Sequence, residues 1–495
     1  MCGVFGIIGA DDASYLTSVG LHALQHRGQE AAGMVTFENR RVPGVEQEEE
    51  VFHDHRSGGL VGRIFTPAVR HELKGHAAVG HVRYSTAGAK QEDAILQARD
   101  AQPVVGVFHF GALAVAHNGN ITNAQRLRHS LELAGHTFHA RKDNSDEVVD
   151  TEVALKLIGT QEAPNLIDRM KMALPLLEGA YSFVMLTKNE LIGVCDPAGI
   201  RPLFLGKIGS AFVLTSETCA LDAVGAEIIR EIEPGEIVAV ENGVFTSHRF
   251  SQRNIARPCI FEYIYFSRPD SVWHGETISI VRERLGEMMR HEDPIDIDIV
   301  VPVPDSGNYA AFGYARASGL PLKFAIVRNH YIGRTFIQPT QEMRDRDVNL
   351  KHSVIKALVQ GKRLAVIDDS AIRGTTSRRL VERLFEAGAL EVHWRLSSPP
   401  WLFGCDLGID EADVTLRLGK PGDTLEEVCE RLKKATGATS VGYLSLDGMY
   451  KAAFANTRAI IQARVCPSSG IKPCDFCFTG QRPVPHTDPY GGWVH

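Results

Sequence analysis

Along the first half of the chain, apolar and polar positions alternate in short runs. VGVFH, LAVAHNGN, AYSFVMLT, AFVLTSET and EIVAVENGV read as half-buried strands bounded by turn residues, with helical stretches NAQRLRHSLELAG and TEVALKLI between them. This pattern predicts a mixed α+β unit rich in antiparallel sheet over residues 2–250. Beyond about residue 275 the period changes. IDIDIVVPVP, PLKFAIV, KRLAVIDDS and LEVHWRLSS are apolar strand candidates, separated by the helix-like NYAAFGYARASG and SRRLVERLFEAGA. Buried parallel strands alternating with helices predict an α/β domain, here over residues 260–465. The polar, basic SHRFSQRNIARP is the expected linker. A C-terminal segment, 466–495, ends in the Pro/Gly-rich QRPVPHTDPYGGWVH and is expected to be loosely ordered.

Length agrees with that division, because 495 residues exceed one ordinary core. The net charge of −7 argues against a general nucleic-acid binder, so an anionic substrate must be held by local basic groups or backbone amides. No apolar run approaches the roughly 18 residues of a membrane span, and MCGVFGIIG lacks a signal peptide's basic start. Nine cysteines in so long a chain suggest catalytic or metal-bound thiols in the cytoplasm rather than a disulfide framework.

The densest chemistry lies in KRLAVIDDSAIRGTTSRRLVERLFEAGA. Asp368 and Asp369 fall at the carboxyl end of a predicted strand, where open α/β sheets bind ligands. A glycine and three hydroxyls follow, ahead of a helix with Leu380, Val381, Leu384 and Phe385 on one face and Gly388 at its end. Free helix N–H groups beside hydroxyls suit a phosphate, and paired carboxylates suit sugar hydroxyls or Mg²⁺. The stretch is neither the Gly-x-x-x-x-Gly-Lys nucleotide loop nor a dinucleotide fingerprint.

VIDDSAIRGTTS resembles the ribose-phosphate signature of the type I phosphoribosyltransferases. The resemblance implies 5-phosphoribosyl 1-pyrophosphate as substrate, with Arg373, Gly374, Thr375, Thr376 and Ser377 around its 5′-phosphate. Asp368 and Asp369 would face ribose and metal. DIVVPVPDSG ends another strand in Asp305-Ser306-Gly307, a turn suited to pyrophosphate and Mg²⁺, which makes Ser306 a metal candidate. Between these motifs, RNHYIGRTFIQPTQEMRDRDVNLK reads as a surface loop and as a lid whose Arg328 and Arg334 close over pyrophosphate and exclude water.

An activated ribose carbon calls for a nucleophile, and the chain start offers a way to make one. With Met1 removed, Cys2 carries a thiol and an α-amine on one residue, a nucleophile with its own base. MCGVFG, LQHRGQEAAG, HVRYSTAG and HNGNITN together resemble the N-terminal-nucleophile (class II) glutamine amidotransferases. Joined in this order to the ribose-phosphate loop, and with CIFEYIYFSRPDS and CDFCFTG, they make the chain similar nearly end to end to the amidophosphoribosyltransferase family. The resemblance implies a four-layer αββα sandwich followed by a phosphoribosyltransferase domain with a mostly parallel sheet.

Amide cleavage needs donors for the developing oxyanion. Asn118 through its side chain and Gly119 through its N–H fit, with HNG expected to be a tight turn after a strand. Arg83 is assigned to the glutamine carboxylate, Asp150 to its ammonium with Asp146 as the rival, and Arg27 to support of the terminus. Glutamine hydrolysis is expected to stay low until the phosphoribosyl substrate binds, with ammonia carried through a dry passage between the domains.

The Cys474-Asp-Phe-Cys477 pair is ambiguous by spacing, since zinc, redox chemistry and accident all compete. An iron–sulfur cluster would need two more thiolates, and Cys259, Cys405 and Cys466 are all available. The resemblance implies a [4Fe–4S] cluster on Cys259, Cys405, Cys474 and Cys477. It leaves Cys195, Cys219, Cys429 and Cys466 as buried or incidental thiols. It further implies a homotetramer and feedback by purine nucleotides such as AMP and GMP. The competing readings are another class II glutamine-dependent synthase and a regulator that binds 5-phosphoribosyl 1-pyrophosphate.

Overall fold

The computed structural model describes residues 1–41, 48–84, 101–138, 149–252, 256–330, 352–372, 374–409, 417–454 and 471–484. Two antiparallel sheets form the first half. One has seven strands in the order Glu227–Glu231, Phe204–Ile208, Ala211–Thr215, Gly3–Ile8, Ala77–Arg83, Ala31–Arg41 and Glu48–Gly58. The other has six, in the order Val244–Arg249, Glu236–Glu241, Glu190–Cys195, Gly179–Leu186, Gly111–Ile121 and Val104–Phe108.

Strand periodicity assigns each side chain to a layer. Val4, Val35 and Val79 of the first sheet meet Ala116, Val184 and Leu191 of the second in a shared core. Phe5 and Ile7, on the opposite face, pack with Leu21 and Leu221 of the helices Ala13–Ala23 and Thr218–Val224. Tyr181 and Phe183 of the second sheet pack with Val153 and Ile158 of the helix Asp150–Thr160. The result is the αββα sandwich.

The second half is built on a four-stranded parallel sheet, ordered Ile299–Pro302, Arg363–Asp368, Glu391–Leu396 and Ser440–Tyr443. Leu364, Val366, Val392 and Trp394 are buried there with Leu380, Val381 and Leu384 of the helix Thr375–Glu386. Parallel pairing places all strand carboxyl ends on one edge, with Asp368 at that edge.

Four local expectations are corrected. HNG is not a turn: His117, Asn118 and Gly119 lie inside the strand Gly111–Ile121, paired through Ile121 with Gly179–Leu186. PLKFAIV does not form a full strand of the parallel sheet: Leu322 alone bridges Val300 in parallel, while Ile326–Arg328 pairs with His352–Val354 in a separate antiparallel ribbon that leaves Phe324 and Val327 exposed. Phe385 is partly exposed rather than on the buried helix face. The expected linker begins inside the edge strand Val244–Arg249, where backbone pairing with Glu236–Glu241 outweighs its polar composition. Among the described residues no helix is long and apolar enough to cross a membrane.

Candidate active sites

Cys2 immediately precedes the first strand, whose register sets its surroundings. Gly3 pairs with Val82, which brings Arg83 and Tyr84 alongside, and the Cys2 thiol lies 3.5 Å from the Tyr84 carbonyl. Because Met1 is present, the Cys2 nitrogen is an amide here and stands where the α-amine sits once Met1 is gone. It donates to Asn118 Oδ1 at 3.2 Å. Asn118 is fully buried, and its Nδ2 has no partner among the described residues. An amide donor with nowhere to donate, beside a thiol, is suited to an oxyanion that forms only during reaction. At Gly119 φ is +145°, and a Cβ would run into the Ala180 carbonyl, so the close strand pairing at this point requires glycine.

Arg27 donates Nε to the Cys2 carbonyl at 2.8 Å. Its terminal nitrogens reach Glu262 at 2.9 and 2.7 Å and also pair with Glu217. Burial alone would lower the guanidinium pKa, but the two carboxylates more than offset it and the pKa is raised. Arg27 stays charged. The Met1 amine is pushed down to about 5, chiefly by desolvation.

Asp150 opens the helix Asp150–Thr160 and accepts from the Ile121 N–H at 3.1 Å, with His117 Nδ1 at 3.4 Å. Burial pushes its carboxyl up, but His117 and the Ile121 and Thr151 amides hold it below the ordinary carboxylate value. An ionised carboxylate has room for further donors beyond these. Its rival, Asp146, lies outside the described residues.

At the other centre, Ser306 Oγ lies 3.4 Å from Asp368 Oδ1, and the Asp369 N–H donates to the same oxygen at 2.9 Å. Burial, with the Asp369 charge beside it, pushes the Asp368 carboxyl well above the ordinary range. Asp369 is likewise raised by burial, against the hydroxyls of Ser370 and Ser306 and the charge of Arg282. Two crowded, buried carboxylates fit a divalent ion or ribose hydroxyls.

Gly374, with φ +73°, leads into the helix Thr375–Glu386, and Ser377 is buried in its first turn. Arg328 pairs with Asp305 at 2.6 Å, on the same edge. Arg373, Arg334 and the side chains of Thr375 and Thr376 lie outside the described residues.

Cys259, Cys405, Cys474 and Cys477 converge between the two halves. Cys259 and Cys474 form a parallel bridge, and the Cys477 carbonyl accepts from Leu402 and Phe403 at 2.9 and 3.0 Å. Burial raises all four thiols, Cys405 to about 11; neighbouring sulfurs add to the rise at Cys405, Cys474 and Cys477, and Glu262 does so at Cys259. The Arg201 charge counteracts it at Cys259, Cys405 and Cys474. Among the described residues, no three His, Cys, Asp or Glu side chains are placed to grip a single ion. Four thiols are the donor type that an iron–sulfur cluster takes. Cys195 and Cys219 are buried and distinct from this group, Cys429 is half-buried, and Cys466 lies outside the described residues.

The Cys405 loop also touches the first site. Asn120 Nδ2 donates to the Asp406 carbonyl at 2.7 Å, and Arg201 Nε to the Leu407 carbonyl at 3.2 Å. A Cβ on Gly408 would lie 3.0 Å from the Gly119 carbonyl carbon, so only glycine lets this backbone approach so near the oxyanion strand. Glu217, Glu262, Arg201 and Tyr84 were absent from the sequence-based site. The E of CIFEY and the Y of HVRYSTAG, inside motifs already singled out, offered the only signals.

An αββα sandwich with a strand-leading cysteine, joined to a parallel-sheet ribose-phosphate edge, defines a glutamine amidotransferase coupled to a phosphoribosyl acceptor. Residues 90–223 match the glutamine amidotransferase domain family. The chain is 42% identical to the amidophosphoribosyltransferase of Rhizobium etli, over 91% of this chain and 87% of that one. It is 40% identical to that of Bacillus subtilis, over 98% and 94%. The solved glutamine phosphoribosylpyrophosphate amidotransferase from B. subtilis, complexed with ADP and GMP, superposes with a TM-score of 0.83 at 39% identity, covering 100% of this chain and 99% of that one. The chain belongs to the amidophosphoribosyltransferase family.

Proposed function

We propose that Cys2 and the Asp368–Ser377 loop divide the family's reaction between them. The overall activity is that of an amidophosphoribosyltransferase in purine biosynthesis: glutamine, water and 5-phosphoribosyl 1-pyrophosphate give glutamate, 5-phosphoribosylamine and pyrophosphate. In the proposed mechanism Met1 is removed. The Cys2 thiol then adds to the glutamine amide carbon while its proton passes to the α-amine of the same residue. Asn118 Nδ2 and the Gly119 N–H stabilise the oxyanion. Collapse breaks the C–N bond, ammonia leaves with the proton, and water hydrolyses the thioester to glutamate. Arg83 holds the substrate carboxylate and Asp150 its ammonium, while Arg27 fixes the Cys2 carbonyl.

Ammonia then forms a bond to the ribose C1 as the bond to pyrophosphate breaks. Asp368 and Asp369 hold the ribose hydroxyls and, with Ser306, Mg²⁺. Arg373, Gly374, Thr375, Thr376 and Ser377 bind the 5′-phosphate, and Arg328 and Arg334 face pyrophosphate. When bound, Mg²⁺ neutralises charge developing on the leaving group. A dry passage keeps ammonia unprotonated between the sites, and phosphoribosyl substrate raises glutamine hydrolysis. Cys259, Cys405, Cys474 and Cys477 hold a structural [4Fe–4S] cluster. The enzyme is assigned to the cytoplasm as a homotetramer. Feedback by purine nucleotides is supported by the ADP and GMP carried by the B. subtilis relative.

The observation that carries the assignment of the first site is the unpartnered Asn118 Nδ2 beside Cys2. Its test is Cys2→Ala assayed with glutamine and, separately, with ammonium. Product from glutamine is expected to fall to background while the ammonia-dependent rate stays within about twofold. Retained glutamine activity would contradict the assignment.

A further inference from the structure

The strand Gly111–Ile121 has two edges, and one of them changes partner midway. Gly179–Leu186 pairs along the first edge as far as Ile121. Along the second, Val104–Phe108 pairs only as far as Val115. Beyond Val115, backbone groups face that second edge at every other residue: His117, Gly119 and Ile121. The partner strand keeps the same alternation. Tyr181, opposite Gly119, donates its N–H to the Asp196 carboxylate at 3.3 Å, and its carbonyl accepts the Asp196 N–H at 2.9 Å. Tyr181 thus turns both groups away from Gly119, whose own N–H faces the open edge.

Side chains take the place of a strand there. The His117 N–H donates to Gln102 Oε1 at 2.7 Å, and the His117 carbonyl accepts from His81 Nε2 at 3.1 Å. The Ile121 N–H donates to Asp150 Oδ2 at 3.1 Å. No side chain of the described residues takes the Gly119 N–H between them. A neighbouring strand would saturate all three N–H groups in turn. Separate caps at 117 and 121 hold the backbone extended and leave the middle donor open.

Gln102 and His81 are both buried, and His81 comes from the strand Ala77–Arg83 of the other sheet. Desolvation pushes the His81 pKa down to about 3, so the ring is neutral at pH 7. Its bond to a carbonyl puts the single ring proton on Nε2.

We propose that Gln102 and His81 are positioning residues for glutamine hydrolysis: by fixing the peptide groups on both sides of His117 they aim the Gly119 N–H and the Asn118 side chain at the oxyanion. This rests on the reading of the Cys2 site above. Neither residue bonds to substrate; each acts through the strand.

The test compares the full chain with Gln102→Met, His81→Leu and His81→Gln. It measures kcat and KM for glutamine hydrolysis with 5-phosphoribosyl 1-pyrophosphate and Mg²⁺ present. Gln102→Met and His81→Leu are each expected to lower kcat about tenfold or more, with KM within about threefold. His81→Gln keeps an N–H donor near the place of Nε2 and should recover most of kcat. Two controls need no oxyanion and should stay within about twofold in all three variants. They are synthesis from ammonium and alkylation of Cys2 by iodoacetamide, read from the mass of the N-terminal peptide. Wild-type kcat in folded Gln102→Met overturns the proposal, as does a loss confined to KM or matched by slower alkylation. Should Gln102→Met not fold, the two His81 variants decide, and equal losses in both, or none in either, overturn it. Glutamine hydrolysis that survives Cys2→Ala overturns the reading of the first site instead.

Discussion

Around Cys2, the reactive groups come from strand interiors and strand starts; around Asp368, they come from a strand end. The first centre is assembled by antiparallel register, which brings Asn118 to within 3.2 Å of a nitrogen 116 residues away and leaves both buried. The second uses the carboxyl edge of a parallel sheet, where neighbouring turns supply Ser306, Asp368 and Asp369 at once. Amide cleavage by a thiol needs a few donors held rigidly, which strands provide. A pyrophosphorylated sugar presents charge on several sides, which loops at a sheet edge can surround.

Changes at the shared acceptor should outweigh those at the donor. Asp368→Asn is expected to lower both glutamine- and ammonia-dependent synthesis by about a thousandfold, about 4 kcal/mol, because both nitrogen sources meet the same ribose. Steady-state rates with each source check this, and a loss confined to glutamine would break the comparison. Asn118→Ala should cost about a hundredfold or more, but only with glutamine and chiefly in kcat.

Chelating iron from anaerobically purified protein should lower the melting temperature by at least about 5 °C and abolish visible absorbance. Iron-free protein that melts at the same temperature would contradict a structural cluster.

The smallest effect concerns Asp196, whose carboxyl is raised to about 6 by burial against four backbone N–H groups. The folded state holds that proton more tightly than the unfolded one. Its contribution is therefore full below the ordinary value of 3.8 and is lost as pH rises through about 6. Asp196→Asn should flatten this decline by on the order of 2 kcal/mol between pH 4 and 6.5, read from urea midpoints.

Much of this was legible in the sequence because local rules coincide with the fold. VIDDSAIRGTTS reads as strand, edge and helix start because Asp368 does end a strand and Gly374 does precede a helix. HNG misled because Asn-Gly ordinarily signals a turn, whereas pairing with Gly179–Leu186 carries the strand through it. PLKFAIV misled because an apolar run does not state which sheet it joins. The Arg27–Glu217–Glu262 network was out of reach for another reason: its members lie 190 and 235 residues apart, and periodicity contains no long-range pairing. The convergence of four cysteines was readable only through the family resemblance, since one C-x-x-C does not name its distant partners.

The central claim is that nitrogen freed at Cys2 reaches the ribose at Asp368 without entering bulk water. Supplying amide-¹⁵N glutamine in a large excess of unlabelled ammonium, with the pH low enough to hold the ammonium protonated, measures this directly by the isotope content of the product. The account predicts product labelled almost entirely with ¹⁵N. Product diluted to the isotope ratio of the surrounding ammonium would contradict it.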